Sequence, residues 1–202
     1  MWYNPSMRLN RNSFFDGDFD YINLNDFYLA NKVLITDTKI PSQIQDALNS
    51  LNKNTYGGWA ENRKDVWTGT YMDEKKNYIH LGIDINIKEG TEVRCPFDAD
   101  VVDIFTDTDT QIGWGGRYTL TDKYSNNPFL VLAHLDPNSL VVKKRFVKGE
   151  VIGRVGTWPT NGNTFQHLHV QVVKKLDLTN FDGYGYIKDL SNNPNPFQVD
   201  FL

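Results

Sequence analysis

Phe165-Gln166-His167-Leu168-His169-Val170-Gln171-Val172-Val173 has the alternation of a β-strand, and its reading decides both the fold and where the chemistry sits. Successive side chains on a strand point to opposite faces. His167 and His169 therefore project together, while Leu168 and Val170 face a core on the other side. Two adjacent imidazoles can share a metal, or one can bind while its neighbour moves protons.

Other short runs of the same kind flank this one. Ile83 to Ile87, Glu92 to Cys95, Asp100 to Phe105, Arg117 to Thr121, Phe129 to His134 and Val151 to Val155 read as strands. Lys88-Glu89-Gly90, Ser125-Asn126-Asn127-Pro128, Lys148-Gly149-Glu150 and Asn161-Gly162-Asn163 supply the turns between them. Such spacing, without helical periodicity, predicts a mainly β protein built on an antiparallel sheet.

Residues 1–55 are rich in Asn and Asp and read as an N-terminal extension with a single helix over about 42–51. Ile44, Ala47, Leu48 and Leu51 recur there at helical spacing behind Pro41-Ser42. The β domain occupies 56–175. Residues 176–202, with Gly183-Tyr184-Gly185-Tyr186 and Asn193-Pro194-Asn195-Pro196, read as a loop-rich tail packed on it, with a short helical turn near Ile187 to Leu190.

Composition narrows the function classes. A hydrophobic share of 40% over 202 residues suffices for one packed domain. The net charge of -4 gives no pull toward nucleic acid, and no window approaches the roughly 18 apolar residues of a membrane span. Lys143, Lys144, Arg145 and Lys148 form one basic cluster, read as a solvated strand edge or turn. Cys95 is the single cysteine, which excludes an internal disulfide and a Cys-based zinc knuckle, and it reads as a buried thiol. The amino terminus lacks the apolar stretch of a signal peptide. The expectation is a cytoplasmic chain as written, or one exported by a route the sequence does not show.

All four histidines fall in three motifs: His80-Leu81-Gly82-Ile83-Asp84, Ala133-His134-Leu135-Asp136, and His167-Leu168-His169. The first offers a nitrogen and a carboxylate oxygen, and one histidine of the third completes a His, Asp, His set. Three protein ligands leave a fourth tetrahedral position open, as in catalytic zinc sites. The two remaining histidines are then free to act on water or substrate, and zinc lowers the pKa of water it binds to roughly 7.

Together these motifs resemble the M23 family of zinc metallopeptidases, the lysostaphin and LytM type. That pattern is His-x-Gly-(Ile/Leu)-Asp, then a strand-ending His-Leu, then His-Leu-His. Gly90-Thr91-Glu92-Val93, the Lys148 to Gly156 hairpin and Gly113-Trp114-Gly115-Gly116-Arg117 extend the likeness, which covers about residues 78–175. The resemblance implies an antiparallel β domain with an open cleft and one Zn2+ per chain. It implies that His80, Asp84 and His169 hold the zinc, with His134 and His167 beside it as general base and as hydrogen-bond donor to the tetrahedral intermediate. It implies a tyrosine near that intermediate, for which Tyr71 and Tyr78 are the candidates. Trp114 and Trp158 are further candidates for lining the groove. The implied activity is endopeptidase cleavage of peptide cross-bridges, as in peptidoglycan, containing glycine or D-amino acids.

Two local departures bear on substrate choice. Asp136 stands where the family commonly has serine, and Gly156 to Gln166 replaces a shorter approach to His-Leu-His. Family enzymes usually act outside the cytoplasm, whereas no export signal is visible. The rival reading is a binding module that retains zinc without turnover and recognises a peptide or glycan. A histidine phosphoryl carrier, suggested by the hairpin alone, leaves Asp84 unexplained. The N-terminal extension either braces the β domain or covers the cleft, and bracing is the expectation.

Overall fold

The computed structural model describes residues 7–31, 40–69, 71–107, 113–122, 128–161, 164–180 and 182–201. The strands are β1 (Met7–Arg8), β2 (Phe19–Tyr21), β3 (Asn54–Gly57), β4 (Ile79–His80), β5 (Ile83–Asn86), β6 (Glu92–Arg94), β7 (Ala99–Thr106), β8 (Gly116–Asp122), β9 (Phe129–Leu135), β10 (Arg145–Phe146), β11 (Val151–Arg154), β12 (Leu168–Val173), β13 (Tyr184–Gly185) and β14 (Asp200–Phe201). Three α-helices, α1 (Leu24–Ala30), α2 (Ile40–Ser50) and α3 (Lys64–Trp67), lie among the N-terminal strands.

Eight strands form the main sheet in the order β10-β7-β8-β9-β12-β5-β3-β2. Every neighbouring pair is antiparallel except β2 with β3. The protein is thus mainly β, as its alternating runs predict, and each of the seven expected strands is present, with ends shifted by at most one residue when the seventh is counted from His167 to Val173. Residues 125–127 and 162–163 of the expected turns lie outside the described residues. The basic cluster falls where the edge reading puts it. Arg145 sits in edge strand β10 and pairs with Asp100 at 2.6 Å, and Lys143 pairs with Glu150.

One sheet face carries the principal core, where Ile83, Ile85, Tyr118, Leu130, Leu132, Leu168 and Val170 meet Val93 of β6 and Ile152 of β11. Cys95 belongs to this core, and burial pushes its thiol up to about 12, which leaves it inert. A second cluster joins Leu24 and Tyr28 of α1, Ile44 and Leu48 of α2, Val66 of α3, and Phe165. The predicted stripe on α2 is thereby buried against the residue that begins the His-Leu-His run.

The N-terminal third holds more structure than its composition suggests. Asn54-Thr55-Tyr56-Gly57 has no apolar alternation, and it is a strand because β5 supplies its partners. Asn23 caps α1 by accepting the Asp26 N–H, but a seven-residue helix is too short to stand out by periodicity.

Leu132 is fully buried at the centre of β9, so Leu132→Ala should cost about 2–5 kcal/mol in urea-unfolding stability. The solvent-facing Val142→Ala should stay within about 0.5 kcal/mol of wild type. Equal unfolding midpoints for the two variants would contradict this assignment of the core.

Candidate metal centre and active site

Asp84 of β5 and His169 of β12 are direct partners across an antiparallel pair. Such partners hold their Cβ atoms about 4.5–5.5 Å apart on one face. His80 reaches the same point from β4, and Gly82 makes the approach possible. A Cβ at Gly82 would lie 2.5 Å from His169 Cε1 and 2.7 Å from the Val170 carbonyl oxygen.

The three ligand atoms form a small triangle. His80 Nε2 is 3.2 Å from His169 Nδ1 and 3.4 Å from Asp84 Oδ1, which is 3.1 Å from His169 Nδ1. Zinc with nitrogen or oxygen ligands at about 2.0–2.1 Å requires a tetrahedral edge of about 3.3–3.4 Å. The observed edges match within a few tenths of an ångström, and these residues are the group in the described chain whose donor atoms converge as a metal requires.

Hydrogen-bond partners assign the protons. His80 Nδ1 donates to the Gly58 carbonyl at 3.0 Å, which leaves Nε2 bare. His169 Nε2 donates to Gln171 Oε1 at 3.0 Å, which leaves Nδ1 bare. The Gln171 amide is itself oriented, because its Nε2 donates to Asn193 Oδ1 while Asn193 Nδ2 donates to the Asp189 carbonyl. Three lone pairs therefore meet with no proton between them, an arrangement that repels itself unless a cation sits among them.

His134 reaches the site through a β-bulge. Gly116 pairs with Leu135 and Tyr118 with Leu132, so Ala133 and His134 together face the single residue Arg117. The extra residue shifts the alternation by one, so that Leu132 and Leu135 both enter the core while His134 turns to the face of His169. His134 takes a left-handed φ of 63°, an unusual conformation for which histidine is enriched over most residues. Its ring lies 4.6 Å from that of His167 and stacks on Trp114, and its Nδ1 is buried without a hydrogen-bond partner.

His167 precedes β12. Its Nδ1 donates to the Phe165 carbonyl at 2.8 Å, and its bare Nε2 stands 3.4 Å from Asp84 Oδ1. Burial pushes His80 and His134 well below the usual histidine range and lowers His167. These imidazoles are neutral near pH 7, as ligands and proton acceptors must be. Burial alone would raise Asp84, but His80 and His167 in their protonated forms, together with the permanently charged Arg63, outweigh it and hold the carboxyl well below its ordinary value.

These groups open into a cavity of about 210 Å³ walled by Trp67, Trp114, Phe165 and Tyr184. Trp114 thus lines the groove. Trp158 is 57% exposed and does not line it. Tyr78 bonds to Asp73 and borders a different surface hollow, beside Lys76 and Ile187. The side chain of Tyr71 lies outside the described residues. Asp136 caps the turn Pro137–Ser139 by accepting the Asn138 N–H.

Sequence reasoning missed Tyr184 and Arg63. Tyr184 stands in the tail, and its ring is 5.1 Å from that of His80. Arg63 is 2% exposed and donates to Asp84 Oδ2 at 2.7 Å. Gly57-Gly58 was the available signal, because a Cβ at Gly58 would sit 2.4 Å from Arg63 Nη2 and 2.6 Å from His80 Nδ1.

The model of peptidase family M23 matches residues 78–181, just over half of the chain. No curated protein matches it in sequence. Among solved structures, the chain is similar to the catalytic domain of lysostaphin from Staphylococcus simulans, at 21% identity and a TM-score of 0.43 over 59% of this chain and 77% of that one. It is similar to a catalytic-domain mutant of the prophage-encoded M23 protein EnpA from Enterococcus faecalis, at 20% identity and 0.40 over 58% and 76%. It is also similar to Csd3 from Helicobacter pylori, at 29% identity and 0.37 over 48% of this chain, which spans 24% of Csd3.

Gly82→Ala should weaken zinc binding by about 10–100-fold, the usual effect of disturbing a ligand's support, and Asp84→Ala should abolish it. Elemental mass spectrometry after dialysis against zinc, then against a chelator series, measures both. Full zinc retention by Asp84→Ala would show that these donors are not the site.

Proposed function

The chain belongs to peptidase family M23, and on that premise we propose that it is a zinc-dependent endopeptidase. Its substrates are short peptide cross-bridges of the peptidoglycan type, containing glycine or D-amino acids. The observation that carries the zinc reading is the triangle of three unprotonated donors at tetrahedral spacing. A zinc ion held there supplies Lewis acidity, polarising a carbonyl and acidifying water.

The chain's own residues account for the proton transfers. His134 or His167 receives the proton of the attacking water, and His167 Nε2 is bare and turned to the site. The two rings lie 4.6 Å apart, and the histidine that took the proton gives it to the leaving amine. The Tyr184 hydroxyl accepts from Arg63 at 2.9 Å, which leaves its own proton free for a developing oxyanion. The cavity equals the liquid volume of about seven waters and lies below the roughly 300 Å³ at which drug-sized pockets begin. Its aromatic walls narrow the space at the scissile bond, which favours small residues such as glycine.

Zinc-loaded His134→Ala should keep its metal and lose about 10²–10⁴ in kcat/KM on glycine-containing cross-bridge peptides. Cleavage at the wild-type rate by that variant would overturn the role assignment. A wild type that binds such peptides but leaves them intact over days would instead establish the non-catalytic binding module.

A further inference from the structure

Arg63 is a buried cation with three acceptors. Its Nε donates to Glu61 Oε2 at 2.9 Å, and its Nη1 donates to Asp84 Oδ2 at 2.7 Å and to the Tyr184 hydroxyl at 2.9 Å. Glu61 is buried as well, and its other oxygen, Oε1, accepts the Leu24 N–H at 3.1 Å. Leu24 is the first residue of α1. A continuous path of charge-assisted hydrogen bonds thus runs from the N-terminal segment to the carboxylate of the metal site.

We propose that Glu61 and Arg63 are positioning residues that transmit the placement of the N-terminal segment to Asp84 and Tyr184. The proposal rests on the metal reading of the site. Asp84 is divided between two tasks: Oδ2 is held by Arg63, and Oδ1 alone faces the imidazole nitrogens. A carboxylate fixed in this way cannot rotate away when its histidine neighbours repel it, so the donor set is assembled before metal arrives. The same guanidinium holds the Tyr184 oxygen beside the His80 ring. Only an arginine spans these acceptors, because its planar fork carries several donors in fixed directions, whereas lysine offers a single nitrogen.

Burying one cation with two carboxylates is expensive, and packing alone would be served as well by apolar side chains. The backbone also reserves room for the group. Gly58, with φ +114°, lies where any side chain would strike Arg63 and His80. A second anchor acts through the chain just before His167. Phe165 packs with Leu24, Tyr28, Ile44 and Leu48, Gln45 Oε1 accepts the Gln166 N–H, and the Phe165 carbonyl fixes His167. None of the described residues before Arg63 lines the cavity, and those that contact the site do so from behind it, as a brace would.

The test is zinc affinity, measured by competition with a chromogenic chelator on the full chain as wild type, Arg63→Lys and Glu61→Gln, alongside thermal melting of each metal-free form. Arg63→Lys should bind zinc about 10–100-fold more weakly, and Glu61→Gln should weaken binding by a smaller factor, while both metal-free proteins melt cooperatively. With zinc saturating, kcat of Arg63→Lys should fall more than KM changes, because Tyr184 is released. Wild-type zinc affinity in both variants would overturn the proposal even if their melting temperatures fell. Should Arg63→Lys fail to fold, the near-isosteric Glu61→Gln decides alone: weaker zinc supports the relay and unchanged zinc overturns it. A wild type that binds no zinc would remove the metal reading itself, a different failure from variants that match a zinc-binding wild type.

Discussion

Mutual repulsion among three unprotonated donors, packed within 3.4 Å of one another in a buried place, is the constraint the rest of the structure serves. Left alone, such groups would rotate apart or take up a proton. They stay because each is tied from behind: His80 by the Gly58 carbonyl, His169 by Gln171 and the amide chain to Asn193, and Asp84 by Arg63. These ties run into the sheet on one side and into the N-terminal and C-terminal segments on the other. The segments flanking the β domain therefore contribute to the site although, among their described residues, only the tail's Asp182 to Tyr184 touch the cavity.

The sheet contributes geometry that helices would not easily match. Direct cross-strand pairing places Asp84 against His169, and one bulge in β9 turns His134 onto their face. Without the bulge, alternation would send His134 into the core with Leu132. The left-handed backbone at His134 is local strain that accompanies the turning of its ring toward His167 and His169.

This division explains what was legible in the sequence. Period-two alternation over 165–173 and the seven strand runs report burial directly, so the sheet, the shared face of His167 and His169, and the packed stripe of α2 could all be read. The His80 to Asp84 spacing places two donor types near one another by local chain geometry. The bulge left no mark, because Ala133-His134-Leu135 alternates as an unbroken strand would. Arg63, Glu61 and Tyr184 were hidden for another reason. Their chemistry depends on contacts across 21 to 121 positions of sequence, and a lone arginine in Glu61-Asn62-Arg63-Lys64 looks like a solvated surface residue. Strands β2 and β3 were missed because their partners, not their own patterns, make them strands. Tyr184 lines the cavity from the tail, where spacing relative to His80 could not point to it.

The most direct measurement is anomalous diffraction at the zinc absorption edge from crystals of the zinc-loaded protein. The account predicts one strong peak per chain, about 2.0–2.2 Å from His80 Nε2, Asp84 Oδ1 and His169 Nδ1 together. A peak ligated by His134 or His167 in place of one of these, or no peak within the cavity, would contradict it.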